Sequence, residues 1–283
     1  MILREFGWTN LEVSVIGQGT WMIDGSTEME IRAVQTLKKG LDLGMNHIDT
    51  AEMYGNGHVE ELVAQAINER RKDVFLVSKV LPSNASYEGT ITACKRSLKR
   101  LKTEWLDLFL LHWPSSFPVQ ETMRAMEKLV SDGYIKYIGV SNFDLNELKE
   151  AEKYLKDNRI ACNQVLYHLG DRGVERTIIP YCEEKKIAVV GYSPFGHYNF
   201  PHRQSSSYKI LEDIAKKYNR SPRQIILNFL TRHKYLFTIP KTTHIQRVIE
   251  NANSVGWSLD YSDIELIDRV FPAPNHDMPL GMI

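Results

Sequence analysis

The chain has 283 residues, 43% of them hydrophobic, with 35 Lys and Arg against 35 Asp and Glu. That length buries enough apolar surface to fold without a staple, and a net charge of zero carries neither a nucleic-acid footprint nor a membrane-surface patch. Cys94, Cys162 and Cys182 are scattered with no CxxC pair, which argues against a zinc site and a disulfide framework. The opening MILREFGWTN lacks the apolar stretch of a signal peptide, and no apolar run approaches the roughly 18 residues of a membrane helix. These features predict a cytoplasmic protein in a reducing compartment, with no membrane or nucleic-acid partner; a monomer or weak oligomer is expected, though nothing in these features sets the oligomeric state.

In chain order, ILREFGWTNLEV reads as a hairpin around Gly7 to Asn10, placed to plug one end of a barrel. Eight short, almost continuously apolar runs follow: VSVIGQG (13–19), NHIDT (46–50), VFLVSK (74–79), WLDLFLLH (105–112), YIGVS (137–141), ACNQV (161–165), IAVVGYS (187–193) and LFTIP (236–240). Such runs suit strands covered on both faces. Amphipathic helical stretches separate or follow them at 30–44 (stopped by Gly44), 59–70, 87–101, 119–133, 145–155, 177–186, 210–218 and 245–253. One more helix, at 262–271, precedes a Pro-rich tail. Eight strand–helix units in alternation predict an α/β fold, a (β/α)8 TIM barrel with an N-terminal β-hairpin plug, as one domain over 1–283. A doubly wound sheet is the alternative.

Asp49, Tyr54, Lys79 and His112 sit at or just past the C-terminal ends of three of these runs. In a barrel, that rim carries the chemistry. A free phenol titrates near pH 10, too high for efficient proton donation at neutral pH. An ammonium at Lys79 would lower it, Asp49 would hold Lys79, and His112 would orient a substrate oxygen. The same residues also suit a structural Asp49–Lys79 ion pair with Tyr54 and His112 packed beside it. GQGTW (17–21) lacks the third Gly and the following helix of a dinucleotide fingerprint, and reads as a tight turn. His47, Asp49 and His112 raise the prospect of a hydrolase-type metal site. Later strand ends offer Ser141, Gln164, Tyr192 and Pro240, which are poor ligands, so no metal is expected.

NHIDTAEMYGNG, VSK, LLHWP and GVSNF together strongly resemble the aldo-keto reductase superfamily, and the likeness runs from REFGWTNLEVSVIGQGTW to RVIENAN. The resemblance implies a (β/α)8 barrel that binds NADP(H) in extended form without a Rossmann motif. It implies a catalytic tetrad of Asp49, Tyr54, Lys79 and His112, with the tyrosine as general acid and hydride delivered by the nicotinamide. Ser141, Asn142 and Gln164 match the positions that bind the carboxamide, and Tyr192 matches the ring that stacks on the nicotinamide. Ser193, Pro194, Phe195 and Gly196 begin the loop across the pyrophosphate. Ile239, Lys241, Thr242, Arg247, Glu250 and Asn251 match the adenosine half, where Lys241 and Arg247 suit a 2′-phosphate. Leu166 and Leu169 replace the Glu and Pro of many relatives, Thr242 replaces the usual Ser, and the tail after Phe271 is short beside the steroid-reducing members.

Trp21, Trp113, Phe117 and Tyr87 follow strand ends or lie in rim loops, and could line a substrate mouth with Tyr54 and His112; ordinary rim packing is the alternative. Trp113 stands out because it follows His112 directly. His197, His202 and His276 read as surface histidines. The expected function is NADPH-dependent reduction of aldehydes, ketones or sugars, with a small-molecule carbonyl as the partner. The alternative is an NADP(H)-binding regulatory or structural protein resembling potassium-channel β subunits or lens crystallins; the intact tetrad favours the enzyme.

Overall fold

The structure, a computed structural model, describes residues 1–23, 25–197 and 200–283. Strands β1 (Leu3–Glu5) and β2 (Glu12–Ser14) pair antiparallel, with Leu3 opposite Ser14 and Glu5 opposite Glu12. Strands β3 (Gln18–Gly19), β4 (His47–Asp49), β5 (Phe75–Val80), β6 (Leu106–Leu111), β7 (Ile135–Ser141), β8 (Ile160–Leu166), β9 (Ala188–Tyr192) and β10 (Leu236–Thr238) form one parallel sheet in sequence order. The first and last strands meet: Gly17 N–H donates to the Thr238 carbonyl at 2.7 Å, and Thr238 N–H to that of Val15 at 3.0 Å. The sheet is therefore a closed barrel, as expected.

Helices α1 (Thr27–Asp42), α2 (His58–Ile67), α3 (Tyr87–Leu101), α4 (Val119–Ser131), α5 (Leu145–Lys153), α6 (Ile178–Lys185), α7 (Ser206–Lys217), α8 (Pro222–Leu230), α9 (Ile245–Ala252) and α10 (Tyr261–Val270) surround it. Local signals start several of them. The Ser86 side chain accepts from Gly89 N at α3, and Asp144 with Glu147 closes a capping box at α5. None of the described helices is long and apolar enough to cross a membrane.

Two elements depart from the sequence expectation. The run 13–19 is two pieces rather than one strand: its first half completes the hairpin and its second half opens the barrel. Helix α8 is additional. It buries Ile225, Ile226, Leu227, Phe229 and Leu230, so it shows no polar face to read. The signal for it was SPRQ, in which Ser221 caps, Pro222 occupies the first turn and Gln224 returns a hydrogen bond to Ser221 N–H.

The hairpin plugs the N-terminal end of the barrel. Phe6 is fully buried, 4.8 Å from the Phe75 ring and 4.9 Å from that of Phe237, with His47 edge-on. Gly7 permits this at φ +61°, where an added Cβ would lie 2.5 Å from the Lys186 carbonyl oxygen. Phe6→Ala should cost about 3–5 kcal/mol, from lost burial and an unfilled cavity. Urea denaturation checks this, and a loss under about 1 kcal/mol would show that Phe6 does not anchor the plug.

Strand alternation decides what faces the barrel interior. Val77, Leu108 and Leu110 join the inner cluster with Phe6, whereas Leu76, Phe109 and Leu111 pack on the helices. Lys79 shares the parity of Val77, and Asp49 that of His47 against Phe6, so both point inward. His112 continues the inward parity of Leu110.

Candidate active site

The four rim residues converge. Lys79 Nζ lies 2.5 Å from Asp49 Oδ1, donates to the Thr50 carbonyl at 2.9 Å and reaches the Tyr54 hydroxyl at 3.4 Å. The Tyr54 and His112 rings approach edge to face with centroids 5.8 Å apart. Lys79 and Asp49 are almost inaccessible to solvent. Tyr54 stands on a tight turn, Tyr54–Gly57, in which Gly55, Asn56 and Gly57 are all left-handed.

Beneath this turn is a buried network that the sequence reading missed. Glu60 accepts from Arg100 Nε at 2.6 Å and from the Ser78 hydroxyl at 2.6 Å. Arg100 packs under Gly57, where a Cβ would come within 2.4 Å of its Nε. The tyrosine's turn and the strand carrying Lys79 thus hang on one carboxylate. Glu52 does related work nearby, accepting from Leu81 N–H and the Asn84 amide, each at 2.8 Å. The only sequence signal for Glu60 was an acid in the first turn of a helix.

Burial dominates the electrostatics. It raises the Tyr54 pKa, against the pull of the Lys79 ammonium, so the phenol keeps its proton at neutral pH. The sequence expectation of a net lowering by Lys79 is corrected here, because desolvation of the phenolate outweighs that attraction. Burial also works against the charge on Lys79, but Asp49 and Tyr54 more than offset it and leave its pKa raised. Burial, then Lys79, drives His112 down to about 2, so its imidazole is neutral. His112 Nδ1 is buried without a partner among the described residues, so a proton on Nε2 leaves no buried ring N–H unsatisfied.

His47 is the remaining polar ring inside the barrel. Burial lowers its pKa to about 4, and neither ring nitrogen has a partner among the described residues. Between about pH 4 and 6.5 the unfolded chain binds a proton here that the folded chain does not. Stability is therefore fully present above about pH 6.5 and falls with pH below it, by about 1.4 kcal/mol per unit. His47→Leu should flatten the stability profile by that slope, measured by urea denaturation from pH 5 to 8. An unchanged slope would place a charged His47 in the native state.

A cavity of about 350 Å³ opens from the tetrad. Trp21, Asp49, Tyr54, His112, Trp113, Ser141, Asn142, Gln164, Tyr192, Ser193, Pro194, Phe195, Ile239 and Lys241 line it. The polar residues at its base are prearranged. The Tyr192 hydroxyl donates to Asn142 Oδ1 at 2.7 Å, Asn142 Nδ2 to the His112 carbonyl at 3.0 Å, and Ser141 Oγ to the Gln164 carbonyl at 2.9 Å. Gln164 Nε2 donates to Asp49 Oδ2 at 2.8 Å, which ties this group to the tetrad.

Other residues from the sequence reading lie elsewhere. Gly196 follows Phe195 at φ +69°. Thr242 Oγ1 accepts from His244 N–H at 3.1 Å, ahead of α9, which carries Arg247, Glu250 and Asn251. Glu250 accepts from the Ser221 hydroxyl, and Asn251 is buried. Tyr87 and Phe117 do not line the cavity, whereas Met22, Met53, Arg223 and Ile283 do. His197 is exposed, as expected, yet it also lines the cavity with its ring 5.4 Å from Trp21. No group of three or more His, Cys, Asp or Glu side chains among the described residues is arranged to hold a metal.

A closed (β/α)8 barrel with a buried Asp–Lys–Tyr–His cluster on its C-terminal rim defines a class of oxidoreductase, and comparison with known proteins agrees. A model of the Aldo/keto reductase family matches residues 15–271. The chain belongs to that family. It is 38% identical over 274 residues to methylglyoxal reductase YeaE of Escherichia coli K12, covering 97% of this chain and 96% of that protein. It is 35% identical over 276 residues to glyoxal reductase of Bacillus subtilis, covering 94% of each. Among solved structures, an aldo/keto reductase from Klebsiella pneumoniae in complex with NADP and acetate superposes with a TM-score of 0.93 at 35% identity, covering 100% of both chains.

Proposed function

We propose that this protein is an NADPH-dependent carbonyl reductase acting on small 2-oxoaldehydes. One observation carries the reading: a neutral, partly buried phenol lies within reach of a paired ammonium and a neutral imidazole, at the end of a cavity lined by amide and hydroxyl groups. The residues fit a nicotinamide dinucleotide. Ser141, Asn142 and Gln164 offer carboxamide partners and Tyr192 a ring face, while Lys241 and Arg247 supply cations for phosphate. Crystallisation of the Klebsiella relatives with NADP or NADPH supports that choice.

When bound, the reduced nicotinamide supplies hydride to the carbonyl carbon. The Tyr54 hydroxyl gives its proton to the carbonyl oxygen as charge builds there, and the Lys79 ammonium stabilises the phenolate left behind. Asp49 keeps Lys79 charged and aimed. His112 Nε2–H directs the carbonyl oxygen towards Tyr54. Trp21, Met22 and Trp113 at the cavity wall suit a small substrate, and the names of the methylglyoxal and glyoxal reductases support it. The proposal places the enzyme in the cytoplasm, as one domain over 1–283 and as a monomer or weak oligomer.

Methylglyoxal, glyoxal, an aromatic aldehyde and an open-chain sugar, each assayed with NADPH and NADH, test this. The 2-oxoaldehydes with NADPH should give the highest kcat/KM. No NADPH oxidation with any of the four would end the reductase reading.

Trp113 stacks on His112 with ring centroids 3.8 Å apart. Trp113→Ala should therefore lower kcat/KM more for the aromatic aldehyde than for glyoxal, since it also removes apolar surface worth about 25 cal/mol per Å². NADPH affinity should hold. An equal fall for both substrates would mean that Trp113 acts only by holding His112.

A further inference from the structure

Arg223 has no place in the chemistry above, yet it lines the same cavity as Phe195 and Lys241. It stands in the first turn of α8, where the helix dipole disfavours a cation. No carboxylate pairs with it among the described residues. Instead its guanidinium lies over two aromatic faces, 4.4 Å from the Phe195 centroid and 4.7 Å from that of Phe200. These rings approach each other edge to face in the segment that follows β9.

Two further arginines act on it, opposed by Glu250 and Tyr208. After burial, the strongest influence on Arg223 is Arg247, which further disfavours its charge, and Arg203 acts in the same direction. Glu250 is the opposing carboxylate, and the Ser221 hydroxyl already occupies one of its oxygens. Lys241 adds a further cation to the cavity wall. Arg223, half-buried at the cavity wall with Arg247 acting on it, makes this side of the cavity electropositive and suited to an anion. Contact with two aromatic faces restricts the Arg223 side chain, and a guanidinium so held can make the two-pronged contact by which it recognises phosphate.

We propose that Arg223 is a cofactor-binding residue, a guanidinium that pairs with a phosphate group of the dinucleotide and is held in register by Phe195 and Phe200. This rests on the dinucleotide reading above and adds a residue to it. The phosphate is either the 2′-phosphate or the diphosphate bridge, and the two separate experimentally.

The test is titration of wild type, Arg223→Ala, Arg223→Lys and Arg247→Ala with NADPH and NADH, followed by tryptophan fluorescence at two ionic strengths. Arg223→Ala should weaken NADPH by about tenfold to a hundredfold at low salt. It should also flatten the salt dependence of binding, because a charge contact has been lost. Arg223→Lys should recover the salt dependence but only part of the affinity, since lysine keeps the charge and loses the fork. A loss confined to NADPH assigns the 2′-phosphate, and a loss shared with NADH assigns the diphosphate. Unchanged affinity would overturn the proposal. So would weaker affinity with an unchanged salt slope, which would make Arg223 a staple for the aromatic segment. Wild-type protein that binds neither dinucleotide would overturn the cofactor reading itself, and this assignment with it.

Discussion

Tyr54→Phe is expected to lower kcat for carbonyl reduction by about 10²–10⁴-fold while leaving NADPH affinity nearly unchanged. The hydroxyl is the one group lost. It is protonated at neutral pH and 3.4 Å from the Lys79 ammonium. Its contribution to binding is small because it delivers a proton only as charge builds on the carbonyl oxygen. The ring stays, so its edge-to-face contact with His112 is preserved. Steady-state rates and a fluorescence titration with NADPH separate the two effects. Near-normal turnover would remove Tyr54 from the role of acid and leave the cluster a structural ion pair.

Lys79→Met should be comparably damaging and should act on stability as well. Turnover falls because the phenolate formed on proton transfer loses its stabilising charge. Stability falls because Asp49 is left buried with its Oδ1 partner gone, and breaking a buried pair in this way costs about 3–5 kcal/mol. Asp49→Asn should be milder, since Gln164 still meets one oxygen position and the ammonium keeps the Thr50 carbonyl. The double variant Asp49→Asn/Lys79→Met removes both charges, and it should regain much of the stability without regaining turnover. Thermal denaturation and kcat on all three variants check this. If the double variant recovered turnover, Lys79 would be structural only.

Much of the site was legible because it is written locally. Asp49, Lys79 and His112 each end an apolar run, and period-two alternation sends all three inward once the runs are strands. Helices α3 and α5 announced themselves by an amphipathic face, and the structure adds their caps at Ser86 and Asp144. Helix α8 did not, because it is apolar on nearly every side; only its SPRQ cap was local. The run 13–19 looked like one strand because its composition is uniform. Where it breaks depends on two distant partners, the hairpin strand β1 and the last barrel strand.

By itself, then, the sequence determined the alternation of strands and helices, the parity of the rim residues and the family. Those properties depend on spacings of a few residues. Tertiary structure alone decided how the rim is charged and held. The Tyr54 pKa is raised, not lowered, because burial by many separate segments outweighs one nearby cation. Gln164 reaches Asp49 from 115 positions away, and Arg100 reaches Glu60 from 40. Desolvation and long-range ion pairs are properties of the assembled barrel, since each depends on every segment that displaces water from the group, and no local spacing records them.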